Sequence, residues 1–292
     1  MEEVIQKARV LIEALPYIQT FRDEITVIKL GGSAIEDEAH ERGILADVTF
    51  MECVGMYPVI VHGGGKEISR MMKKRGIEPE FRQGVRVTCE KTIEVVRDVM
   101  EHIINPRIVA ILEEMGARAE GISGEEVFGV RRKEGIDART GRKIDWGYVG
   151  EHESVNVRPV KQVLSRRAIP VLTPLGRDKG GNLYNINADT AASALAGAVK
   201  ARKLALLSDV PGLLQDKNDP ETLIETLSAG EVEKLVKAGI IAGGMLPKVR
   251  GALDALRAGV RKAHMIDGRM AHSLLLEIFT DKGVGTEMIK DD

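Results

Sequence analysis

The sequence predicts an α/β protein: a three-layer αβα sandwich around a central, mostly parallel sheet, in two lobes, with an N-terminal helical arm in front. Three observations carry this expectation. A short apolar strand that runs into glycines and then a helix occurs twice, at residues 26–30 before Gly31-Gly32 and at residues 58–62 before Gly63-Gly64-Gly65. Strand-like and helix-like periods then alternate along the remaining chain. The strands are apolar at successive positions instead of every second one, as in a sheet covered on both faces.

Residues 2–15 place Val4, Ala8, Leu11, Ile12 and Leu15 at helical spacing, and Pro16 predicts the end of that arm helix. After the first strand a helix is expected to about residue 55, and after the second strand another from 66 to 75. Gln83-Gly84 marks a hairpin, residues 91–115 hold two helical stretches, and the polar, Gly-rich region 121–150 suggests short antiparallel strands in a peripheral flap. A further helix and a strand at 169–173 lead into a turn-rich segment, 176–187, which opens the Ala-rich helix 188–199. The second lobe repeats the theme with strands 204–207 and 263–266 and helices 229–237 and 246–258. The expected division is an arm (1–20), a first lobe (21–185) and a second lobe (186–292).

Composition narrows the functional classes. With 292 residues, 43% hydrophobic and 29% charged, the chain can bury a core without metals or disulfides, which excludes a disordered tail protein. Its 42 Lys and Arg against 44 Asp and Glu leave a net charge of −2, so no bulk field draws it to nucleic acid or an anionic membrane. Cys53 and Cys89 form no CxxC pair and join no Cys/His cluster, so neither a disulfide framework nor structural zinc is expected, and a reducing cytoplasm fits. Glu2 and Glu3 open the chain without a basic leader, and no apolar run nears the ~20 residues that span a bilayer.

Glycines directly after buried strands let backbone N–H groups approach an anion, so Gly31-Gly32 and Gly63-Gly64-Gly65 are candidate phosphate cradles. Neither matches a P-loop, because Gly65-Lys66 is followed by Glu67, and no GxGxxG fingerprint is present. Lys29 ends an otherwise apolar strand, where an amine either faces an anionic ligand beyond the sheet's carboxyl edge or snorkels to water. Lys248 follows Gly243-Gly244-Met245-Leu246-Pro247 at a helix start, where its ammonium could lie beside another anion-binding turn, although a solvated lysine is the commoner outcome there. Asn187 or Asp189 suits the cap of the Ala-rich helix, while Asn185 and Asp189, four apart, also suit a shared polar face. Ser208-Asp209 is either a turn or a ribose or phosphate contact, and Arg86, in Val85-Arg86-Val87-Thr88, offers a guanidinium fork for a carboxylate or a plain surface arginine.

In shared order these segments resemble the amino-acid kinase superfamily over nearly the whole chain, and within it the arginine-sensitive, hexameric branch that acts on N-acetyl-L-glutamate. The likeness rests on Lys29-Leu30-Gly31-Gly32, His62-Gly63-Gly64-Gly65, Arg86-Val87-Thr88, residues 150–156, 185–189, Ser208-Asp209, 243–248 and 272–286. It implies ATP-dependent phosphorylation of that acceptor's side-chain carboxylate in arginine biosynthesis, with ATP bringing Mg²⁺. On this resemblance Lys29, Lys248 and Asp189 are catalytic; Gly63, Gly64, Gly65, Arg86 and Asn185 hold the acceptor; and Gly31, Gly32, Ser208 and Asp209 bind the nucleotide. No protein metal ligand is implied. Tyr17, Lys203, Glu277 and Gly285 are the implied effector contacts for L-arginine, the arm links dimers into a hexamer (a trimer of dimers), and a nitrogen-sensing signal protein is a further partner. The competing expectations are a kinase of a related carboxylate or carbamate, or a non-catalytic arginine-sensing module on the same fold. Lys66 stands where that branch usually carries proline, beside the acceptor-side glycines.

Overall fold

In the computed structural model, residues 2–35, 37–136, 141–216, 218–280 and 283–291 are described. The two strand–glycine–helix units form the centre. Strand β1 (Ile25–Leu30) lies beside β2 (Tyr57–His62) in parallel register, with Lys29 opposite Val61 and Leu30 opposite His62. Outside β2 lie β8 (Ile169–Leu172) and, at the edge, β5 (Ala119–Ile122). On the other side of β1 stand β11 (Lys203–Ser208), β13 (Lys262–Asp267), β14 (Thr286–Ile289) and β12 (Thr226–Ser228). Among the described residues this makes one eight-stranded sheet, parallel except that β14 and β12 run against β13.

Alternation along the strands builds two cores. Val27, Val59, Val61, Leu204 and Leu206 face α7 (Ala188–Val199) and α9 (Met245–Arg257). Ile28, Leu30, Ile60, Ala205 and Leu207 face the opposite layer, which includes α2 (Glu38–Cys53), α3 (Gly65–Lys74), α4 (Glu90–Val99) and α5 (Asn105–Glu114). Each side chain fully removed from water contributes about 2 kcal/mol, which is why a strand must be apolar at every position here.

Three expectations are corrected. The arm helix α1 spans Glu2–Phe21, so Pro16 does not end it. A proline there leaves the Ile12 carbonyl without a donor, and Ile12 is exposed, so water takes the place of that bond, while Thr20 Oγ1 donates to Pro16 O at 2.8 Å. The two helical stretches expected over 91–115 are α4 and α5, joined without a break through a π-turn at Met100–Ile104. The flap region is not wholly antiparallel: residues 121–122 belong to β5, parallel to β8, and only β6 (Phe128–Arg132) and β7 (Gly150–Val155) pair antiparallel. Residues 137–140 of that region lie outside the described ones. The turn-rich segment contains a hairpin, β9 (Leu175–Arg177) with β10 (Leu183–Asn185), which joins β6 and β7 in a second sheet. The hairpin of β3 (Phe81–Arg82) and β4 (Val85–Arg86) is as expected, its Gln83 and Gly84 both at positive φ (51° and 76°), as a type I′ turn requires.

Candidate active site

Period 2 along β1 puts Lys29 on the same face as Val27, toward α7, and at the sheet's carboxyl edge. It is 6% exposed. The first turn of α7 presents Asp189, and the first turn of α9 presents Lys248. These helices approach closely because their contact is made of small residues: a Cβ on Gly251 would lie 2.8 Å from Ser193 Oγ, and one on Gly197 2.6 Å from Ala258 Cβ. The result is a shared carboxylate. Lys29 Nζ lies 2.9 Å from Asp189 Oδ1, and Lys248 Nζ donates to Asp189 Oδ2 at 3.0 Å. Asn187 Oδ1 accepts from Thr190 N at 3.0 Å, so Asn187 caps α7 and Asp189 is released from capping.

Burial sets the charges. Desolvation pushes the Lys29 ammonium below its ordinary pKa, and Asp189 only partly offsets that. Burial alone would raise Asp189, but the two ammonium groups together hold it below the usual carboxylate range. One carboxylate balances two cations, leaving one positive charge in excess.

Above this floor opens a cavity of about 550 Å³, lined among others by Lys29, Gly31, Gly63, Gly64, Gly65, Arg86, Asn185 and Asp189. A Cβ on Gly31 would lie 2.2 Å from Lys29 Nζ, so the glycine leaves room for the ammonium to lie over the turn. Gly63 ties the second turn to β1 by donating its N–H to Leu30 O at 2.6 Å. Gly64 caps α3 without any side-chain bond to the first turn, leaving the helix's leading N–H groups for a ligand. Arg86 is fastened above α3: its Nη2 donates to Gly65 O (2.7 Å) and Ser69 Oγ (2.8 Å), and its guanidinium stacks on Phe81 at 4.7 Å. No acidic side chain among the described residues pairs with it, so this 7%-exposed cation keeps its charge for whatever enters.

Gly32 begins a 3₁₀ turn (Gly32–Ile35) directly after Gly31. Ser208 and Asp209 stand at the end of β11, one strand over from β1, with Ser208 Oγ donating to Asp209 Oδ1 at 3.3 Å, and they do not line this cavity. The flap adds residues that sequence reasoning missed. Glu151 of β7 accepts from Arg131 (3.0 Å) and from Lys133 (2.9 Å), and all three line the mouth. Strand alternation next to buried Phe128 and Val130 was the available signal. Tyr17, Lys203, Glu277 and Gly285 gather elsewhere, around a cavity of about 470 Å³ at the sheet's amino edge.

Two opposed ammonium groups on one carboxylate, beside glycine turns at the carboxyl edge of an α/β sheet, define a phosphoryl-transferring kinase that works by charge and position. The chain belongs to the amino acid kinase family, whose profile matches residues 24–267. Its relatives include proteins named acetylglutamate kinase from Heliobacterium modesticaldum (44% identity, 99% of this chain and 100% of the relative) and Caldanaerobacter subterraneus subsp. tengcongensis (47%, 98% and 94%). Among solved structures it is similar to N-acetylglutamate synthase from Neisseria gonorrhoeae, complexed with coenzyme A and N-acetyl-glutamate (TM-score 0.84, 26% identity, 98% of this chain). This chain spans only 64% of that synthase's length. Carbamate kinase from Giardia lamblia bound to AMP-PNP shares the fold (TM-score 0.68, 19% identity, 92% and 99% of the two chains).

Proposed function

We propose that this protein transfers the γ-phosphoryl group of ATP to the side-chain carboxylate of N-acetyl-L-glutamate, yielding an acyl phosphate and ADP in arginine biosynthesis. The observation that carries the reading is the Lys29–Asp189–Lys248 arrangement. An acceptor carboxylate of ordinary pKa about 4.3 is already ionised at neutral pH, so no general base is needed. The obstacle is bringing one anion to another. Lys29 and Lys248 reduce it by meeting the charge on the transferred oxygens, while Asp189 fixes both ammonium groups in place. Gly31, Gly32 and Gly64 offer backbone N–H groups to the phosphates. Arg86 takes the acceptor's α-carboxylate, with Gly63, Gly65 and Asn185 around its acylated amine. Ser208 and Asp209 serve the nucleotide, so that residues 21–185 act as the acceptor lobe and 186–292 as the nucleotide lobe.

ATP enters as its Mg²⁺ complex. Both Asp189 oxygens face lysines, and on this reading the ion's main partners are phosphate oxygens and water. A hydroxamate assay for acyl phosphate over N-acetylglutamate, glutamate, aspartate and carbamate tests the reading. Product with N-acetylglutamate is expected, and absence of product with all four would overturn it.

Regulation by L-arginine belongs to the same reading. It is supported by the second cavity, where Lys203 and Glu277 offer both charge signs to a zwitterion with a guanidinium. A Neisseria gonorrhoeae N-acetylglutamate synthase of similar structure was solved with L-arginine (TM-score 0.79, 26% identity). Helix α1 leaves Ile5, Ile12 and Leu15 exposed along one face and Val10 on the opposite one, apolar surface that supports assembly of dimers into a hexamer through the arm. Deleting residues 1–17 is expected to give an active dimer with a weakened arginine response, and a truncated protein that still sediments as a hexamer would remove the arm's role.

A further inference from the structure

His62, the last residue of β2, is fully buried directly before the glycine turn, and the chemistry above does not use it. Asn105, 6% exposed, sits where the π-turn gives way to α5. Its Nδ2 lies 2.8 Å from Val171 O on β8 and 3.2 Å from His62 Nε2. This fixes the protons. A carbonyl only accepts, so the amide nitrogen must face Val171, and an amide nitrogen only donates, so Nε2 must accept. The imidazole proton therefore rests on Nδ1, which lies 3.0 Å from Gly63 O and donates to it. The same π-turn also reaches the glycines through packing: a Cβ on Gly64 would lie 2.6 Å from Ile104 Cδ1 and 3.3 Å from Met100 Sδ. On the far side, a Cβ on Gly121 would lie 2.2 Å from Asn105 Oδ1, so β5 holds the amide in place.

We propose that His62 and Asn105 are a positioning pair which holds the Gly63-Gly64-Gly65 turn in the orientation that directs its N–H groups into the active-site cavity. The inference deepens the kinase reading and rests on it. Gly63 contributes its N–H to β1 and its carbonyl to His62, so both polar groups of its backbone are tied and the peptide planes after it are set. Burial drives the imidazole pKa down to about 4, which keeps the ring neutral at working pH, while its partners Gly63 O and Asn105 Nδ2 select the tautomer. Neither side chain touches the reacting atoms, so the effect is expected in kcat more than in KM.

Steady-state kinetics of wild type, His62→Gln, His62→Leu and Asn105→Asp, each checked for folding by circular dichroism, test the pair. Gln offers one donor to Gly63 and one acceptor to Asn105, and is expected to keep kcat within about fivefold. Leu has neither group, and Asp cannot donate to both partners; each is expected to lower kcat by about 100-fold, the scale of a misplaced N–H donor, with the KM for ATP within about threefold. A folded Leu variant with wild-type kcat, equal losses for Gln and Leu, or an Asp variant at wild-type rate would overturn the proposal. Should Leu fail to fold, the Asp variant, which conserves size, decides. Loss of the kinase reading itself would show separately, as a wild-type protein without turnover.

Discussion

The two edges of the one sheet treat charge in opposite ways. At the carboxyl edge a single carboxylate, Asp189, serves two ammonium groups, and Arg86 has no acidic partner among the described residues. At the amino edge Glu277 is satisfied from within: Oε1 accepts from His264 Nδ1 at 2.6 Å, and Oε2 from the N–H groups of Val284 (2.8 Å) and Gly285 (3.1 Å). Burial alone would raise that carboxyl, but these donors hold it below its ordinary value. Its neighbour Lys203 stacks on Phe21 at 4.6 Å and is pushed down to about 8 by desolvation. An edge with unbalanced cations suits an anion-to-anion transfer, whereas an edge where Lys203 and Glu277 balance each other's charge suits a ligand that carries both signs.

The sharpest way to break this contrast is at Lys29. Lys29→Met is expected to lower kcat about 1,000-fold, because a charge opposing the transferred group is lost in a dry site; a loss under tenfold would dissolve the distinction. Gly31→Ala is expected to cost about 100-fold in kcat with little change in Tm, since the new methyl displaces only the flexible end of Lys29. A matching fall in Tm would mean that the turn, not the ammonium, was disturbed. His62 gives a pH test. Its folded pKa of about 4 lies below the ordinary 6.5, so the stability it contributes is complete above pH 6.5 and lost as pH falls toward 4, by about 3 kcal/mol. Urea unfolding at pH 7 and 4.5 reads that loss, and His62→Gln should flatten it.

At the acceptor end, Arg86→Lys is expected to raise the KM for N-acetylglutamate about 30-fold, with kcat within threefold, as a fork contact becomes a point charge. The smallest effect belongs to the amino edge. Lys203→Met should leave kcat within twofold and raise the half-inhibitory arginine concentration about tenfold, about 1.4 kcal/mol. In the wild type the inhibition should weaken as pH rises through about 8, where Lys203 loses its charge. Inhibition curves that superimpose at pH 7 and 9 would detach Lys203 from the effector.

What was legible follows from locality. Strands β1 and β2 declare themselves because burial on two faces demands apolar residues in succession, and the glycines after them mark the turns. Lys29 stands out for the same reason. Asp189 was ambiguous because local pattern cannot tell which of two polar residues caps a helix; the bond from Thr190 N to Asn187 decides it. Lys248 pairs with a residue 59 positions away, and the solvated alternative gives way only once α7 and α9 pack through Gly251 and Gly197. Three-residue strands such as β9 and β10 hide in turn-rich composition, and Glu151 gains its role only when a second sheet folds over the cavity. Pro16 misleads because a proline costs a helix one hydrogen bond and a steric clash without always ending it, and here the residue facing the loss, Ile12, is exposed to water.

The π-turn at Met100–Ile104 imposes a constraint on chain length. An α-helix advances about 100° per residue, so the wider turn shifts the phase of everything after it. Inserting one further residue within 100–104 would exceed what a single wide turn absorbs and carry Asn105 about 100° round the helix, away from both His62 and Val171, although no side chain had been altered. Spacing here is as much a part of the catalytic design as composition, and a scan of substitutions alone would never reveal it.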